Sequence, residues 1–89
     1  MIFLLLDIVY TMIKKQKILE MMRNNPKNIS FELLRNFLES KGYVARNTGG
    51  SHWVFNKLES PTFTVPYSKP IKAIYVKQIL RLLGESQND

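Results

Sequence analysis

The stretch Ser30-Phe-Glu-Leu-Leu-Arg-Asn-Phe-Leu-Glu-Ser-Lys-Gly-Tyr-Val-Ala-Arg46 decides the fold, because the apolar pattern changes period inside it. Up to Lys41, the residues Phe31, Leu34, Phe37 and Leu38 recur at i, i+3, i+6 and i+7. That is the stripe of a core-facing helix, extended by the methylenes of Lys41. Ser30 has the side chain of an N-cap, and Glu32 lies near the positive end of the helix. Gly42 supplies the residue just past the helix that readily takes a left-handed conformation. From Tyr43 onward apolar and polar side chains alternate, the period of a strand.

Working downstream, Tyr43–Arg46 reads as a first strand, Gly49-Gly50 as a turn and Ser51–Lys57 as a second strand. Leu58–Pro61 is a loop, and Thr62–Pro66 is a third strand ended by proline. Alternation puts Trp53 and Phe55 on one face of the second strand and Phe63 and Val65 on one face of the third. Those faces must bury against helices, so Trp53 is expected in the core rather than stacked on a base. His52, Val54 and Asn56 then point to the opposite face, which helices on one side leave open. Tyr67–Pro70 leads to a last helix over Lys72–Leu83, with Val76, Ile79, Leu80 and Leu83 at helical spacing and Gly84 ending it. On another side of this helix Lys77 and Arg81 form an i, i+4 basic pair.

Upstream, Lys14–Asn24 carries Ile18, Leu19, Met21 and Met22 on one helical side, and Asn24-Asn25-Pro26 stops it. Met1–Tyr10 is almost wholly apolar but too short for a membrane span, which needs about 20 apolar residues. It also lacks the charged leading region and cleavage site of a signal peptide. The expected division is an apolar leader over 1–11, one domain over 12–84 and a frayed polar tail over 85–89. The fold class is therefore α+β: a three-stranded antiparallel sheet with helices on one face, in the order α-β-β-β-α, preceded by an extra N-terminal helix.

With 89 residues the chain has room for one domain, and its 13 Lys and Arg against 7 Asp and Glu give a net charge of +6. Such a domain favours partners that carry phosphates, because each neutralised phosphate releases counterions. Arg46, Lys57, Lys69, Lys72, Lys77 and Arg81 are the cations expected to track an RNA backbone. The absence of cysteine excludes disulfides, a thiolate nucleophile and a cysteine-ligated zinc site. A single histidine with few carboxylates argues against a transition-metal site, and no small-molecule cofactor is expected. Nothing in the sequence calls for an oxidising compartment, so the cytoplasm is the expected location.

That histidine, His52, follows Gly49-Gly50-Ser51 at the start of a strand, beside backbone free to turn tightly. Its side chain can give and take protons near neutral pH. RNA carries its own nucleophile, the 2′-hydroxyl, so cleavage needs a base, an acid for the leaving oxygen and cations on the phosphate. For a reaction of that kind, His52 can supply one of the two proton transfers. Tyr67 and Lys69, on the loop leaving the third strand, are candidates for the other, and the amides of Gly49 and Gly50 are candidates to hold a phosphate oxygen.

From Ser30 onward the order looks like the layout of double-stranded-RNA-binding domains. The residues Asn28-Ile-Ser-Phe-Glu-Leu-Leu-Arg-Asn-Phe-Leu-Glu-Ser-Lys-Gly-Tyr43, Gly50-Ser-His-Trp-Val-Phe55, Thr64-Val-Pro66 and the closing basic helix resemble the HicA toxin family. Those proteins are small ribonucleases of type II toxin–antitoxin pairs, and the resemblance runs from Lys14 to Gly84. It implies an endoribonuclease that cleaves mRNA without a metal and is silenced by an antitoxin of the HicB type covering the active face. On this resemblance His52 falls on the family's catalytic histidine, with Gly50 and Ser51 forming the step before it. The leader departs from the family pattern, in which the chain starts near Met12. Two other classes fit the residues alone: a non-catalytic RNA-binding module of the same shape, and an interaction subunit that docks an acidic partner on its basic surface.

Overall fold

A computed structural model describes residues 14–85. The leader over 1–11 and the tail beyond Glu85 lie outside the described residues. Helix α1 covers 14–24 and gives way to a 3₁₀ turn, Pro26–Asn28, with Pro26 in its first turn where a missing N–H costs nothing. Helix α2, Phe31–Ser40, begins where Ser30 leaves helical geometry and its hydroxyl accepts from the Leu33 amide at 3.1 Å. It ends at Gly42, φ +96°, through two bonds of a Schellman motif: Gly42 N–H to Glu39 O and Tyr43 N–H to Leu38 O, both 3.0 Å. Helix α3, Ala73–Leu82, closes the same way at Gly84, φ +74°. There Gly84 N–H meets Arg81 O at 3.1 Å and Glu85 N–H meets Leu80 O at 2.7 Å.

Between α2 and α3 lie β1 (Val44–Gly49), β2 (His52–Asn56) and β3 (Phe63–Pro66), an antiparallel sheet in the order β1-β2-β3. The register sets Ala45 opposite Phe55 and Phe55 opposite Phe63, with Trp53 opposite Val65. Phe55, Phe63 and Val65 are buried and Trp53 is half-buried, while on the other face Val44 stays 67% exposed and Arg46, His52, Asn56 and Thr64 are exposed. The helices thus cover one face and leave the other bare, the expected α+β layout. Strand β1 runs to Gly49 rather than stopping at Arg46, because an irregularity between Asn47 and Gly49 lets the hairpin stay paired to its turn.

The core draws on every helix. Met22 of α1, Leu34 and Leu38 of α2, Phe55 of β2 and Val76 of α3 are all 0% exposed. On α1 the buried side is Ile18, Leu19 and Met22, whereas Met21, expected with them, is 43% exposed. Two positions past Leu19 is roughly 200° around a helix, so Met21 and Leu19 cannot share a side. Leu83 of the expected α3 stripe is only partly buried, at the edge of the core. Glu85, expected in a frayed tail, is held: the Arg23 Nε–H donates to its backbone oxygen at 2.7 Å, and Arg23 Nη2 meets its carboxylate at 3.0 Å. Among the described residues no helix is long and apolar enough to cross a membrane.

Candidate active site

The hairpin that carries His52 is shaped by one side chain and two glycines. Asn47 Oδ1 accepts from the Gly49 amide and Asn47 Nδ2 donates to the Gly50 carbonyl, each at 3.1 Å. This is the local backbone mimicry that makes asparagine a turn residue. Gly49 at φ +134° and Gly50 at φ +55° take conformations that side chains disfavour, so the turn needs both glycines. The Thr48 hydroxyl reaches the His52 carbonyl at 3.4 Å, and the Tyr67 amide donates to Ser51 O at 2.6 Å, tying the turn to the end of β3.

His52 opens β2, paired with Gly49 on one side and Pro66 on the other. Its imidazole is exposed on the bare face and has no hydrogen-bond partner among the described residues. Arg46 stands opposite Val54 on that face, which makes it the diagonal neighbour of His52 across the β1–β2 ladder. Ladder diagonals lie roughly 7–8 Å apart, within reach of an arginine side chain. A phosphate held between the two would meet a guanidinium and an imidazole from one side.

Other candidates fall elsewhere. Tyr67 packs its ring on Phe31 at a centroid distance of 5.0 Å, on the helix-covered side of the sheet and away from the His52 imidazole. Lys69 is exposed on the connection three residues beyond Pro66, the strand partner of His52. The Gly49 amide is engaged by Asn47, so of the two glycine amides only that of Gly50 is left for an anion. Trp53 is held between Phe31 at 5.0 Å and the Arg35 guanidinium at 5.2 Å from its ring, which leaves it a packing residue at the core edge. Lys57 follows the far end of β2 and crosses Gly42, its ammonium 5.9 Å from the Tyr43 ring. Lys72 is the residue just before α3, with no capping bond from its side chain, while Lys77 and Arg81 lie exposed along the helix, in the helix layer.

The structure therefore gathers Arg46, Gly49, Gly50, Ser51 and His52, with Lys69 nearby in the chain and Lys72 three residues beyond it, and separates Lys57 and Lys77 from them. Asn47 went unread in the sequence, although the Asn-Thr-Gly-Gly order carries the signal: an asparagine two residues before a glycine that must turn. Comparison with known proteins finds no matching family, no matching curated protein and no matching solved structure.

Proposed function

We propose that the chain is an endoribonuclease toxin of the HicA kind, a cytoplasmic mRNA interferase in which His52 acts as general acid or base. The observation that carries this reading is the exposed His52 on a bare sheet face, beside a glycine turn and diagonal to Arg46. In the proposed reaction a base takes the 2′-hydroxyl proton, and the 2′-oxygen attacks the adjacent phosphorus. The bond to the 5′-oxygen breaks as an acid protonates it, leaving a 2′,3′-cyclic phosphate. Arg46 would balance the charge that builds on the phosphoryl oxygens. His52 would contribute one proton transfer, typically worth about 10²–10⁴-fold in rate. Lys69 or water would make the other, since Tyr67 is turned to the far side of the sheet. In this reading an antitoxin of the HicB type silences the enzyme by covering the bare face.

His52→Ala tests the assignment. RNA cleavage and growth arrest on induction are both expected to disappear while the variant keeps its fold; retained cleavage would sink the role of His52. The lack of a hydrogen-bonded group to orient the imidazole, among the described residues, favours a second reading, a non-catalytic RNA-binding module. That reading prevails if the parent and the variant bind RNA equally and neither cuts it.

A further inference from the structure

We infer that the cleft bounded by Lys15, Lys41 and Lys57 is an anion site that takes a phosphate-bearing group, at the end of the sheet away from His52. The inference needs nothing from the assignment of His52. Lys15 comes from α1, Lys41 from the C-cap of α2 and Lys57 from just past β2, and together they line a cleft of about 460 Å³. Lys57 lies five positions beyond His52 along an extended strand, roughly 16 Å at about 3.3 Å per residue, so this is a separate place on the molecule.

Among the described residues, no acidic side chain lines the cleft. Glu85 stands at its margin, 4.0 Å from Lys41 Nζ, but the same carboxylate pairs with Arg23 at 3.0 Å. One negative charge shared between two cations leaves the cleft strongly positive. The lysines are also partly positioned in advance: Lys41 Nζ lies 5.3 Å over the Phe37 ring and Lys57 Nζ 5.9 Å over the Tyr43 ring. Like charges held together raise the local potential, and an anion placed among them relieves their repulsion.

The hydroxyls around the cleft narrow the ligand. Tyr43 donates to Pro61 O at 2.9 Å, Ser40 to Phe37 O at 2.6 Å and Ser60 to Leu58 O at 3.2 Å. With their protons used internally, recognition falls to the ammonium groups, which act as point charges with three donors each and no planar fork. That suits the several oxygens of a tetrahedral phosphate better than a flat carboxylate paired in bidentate fashion. The phosphate has two available sources, an RNA backbone or a free phosphate compound.

The test is a titration of the full chain with pyrophosphate, followed by amide chemical shifts. Saturable shifts are expected at Gly42, Lys57 and Ser60, with a midpoint of their own that is independent of any shift at Gly50 and His52. The Lys15→Gln/Lys57→Gln double variant is expected to bind about tenfold more weakly or worse, as losing two charge-assisted contacts implies. His52→Ala should bind as the parent does, which separates this site from the proposed catalytic one. Linear, unsaturating shifts, shifts spread evenly over all basic surfaces, or unchanged binding by a folded double variant would overturn the inference. A short single-stranded RNA that moves the same amides and is displaced by pyrophosphate identifies a nucleic-acid backbone as the source. RNA that leaves them unmoved, while pyrophosphate still binds, identifies a free phosphate compound.

Discussion

Tyr43 combines burial, ring packing and a hydrogen bond in one side chain. It is 4% exposed, its ring lies 5.3 Å from Phe63, and its hydroxyl donates to Pro61 O at 2.9 Å, fixing the β2–β3 loop to the end of α2. Burial pushes its phenol above the ordinary value of 10.0, with the Ser60 hydroxyl pulling the other way. A raised folded value means that this stabilisation is whole below the unfolded pKa and is lost as pH climbs through the folded one. Tyr43→Phe is therefore expected to be less stable than the parent at about pH 8, with the gap narrowing by about pH 11, where the parent must ionise a buried phenol. Urea midpoints of both proteins at the two pH values check this; a gap independent of pH would contradict it. Asn47 works locally in the same sense. Asn47→Ala removes both bonds that close the hairpin and is expected to cost up to about 1 kcal/mol, since they are exposed. Faster hydrogen exchange confined to Gly49–His52 would show that the loss is local, and under the proposed function RNA cleavage falls with it.

At the scale of elements, what was legible was what depends on near neighbours. The α2 stripe, its Ser30 cap and its Gly42 stop are all encoded within about four residues of where they act, and each appears in the structure. Ser30→Ala should accordingly cost about 1 kcal/mol, while Ser30→Asp, which keeps an acceptor for the Leu33 amide, should cost little. Equal losses in denaturant midpoint for the two would mean that the cap bond is not what matters. The strands were legible in face but not in extent. Alternation placed Phe55, Phe63 and Val65 inward correctly. The reach of β1 to Gly49 depends on Asn47 bonding across the turn, which no periodicity count includes. Met21 departs from the expected stripe for a simpler reason: it is adjacent to Met22, and a helix separates the directions of adjacent side chains by about 100°.

For the whole molecule, the sequence could name the cations but not say which would meet, because that is decided by pairings between distant residues. Arg46 joins His52 only through strand register, and Lys57 leaves it because β2 ends four residues past His52. The same long-range logic makes α1 an integral part of the domain. It sends Ile18, Leu19 and Met22 into the one core, and Arg23 clasps Glu85 beyond α3 across 62 positions of chain. That ion pair is about a quarter exposed on each side, so the packing and not the charge should dominate. Neighbouring methionines give the cleanest measure. Met22→Ala removes a fully buried side chain and should cost about 2–5 kcal/mol, whereas Met21→Ala on the exposed side should stay within about 0.5 kcal/mol of the parent. Against a total stability on the order of 5–15 kcal/mol, the first loss is a large share. A chain beginning at Pro26 loses all three core residues and the clasp together, and is expected to show no cooperative thermal transition. If it unfolds cooperatively at the midpoint of the parent, α1 is an accessory and the core closes without it.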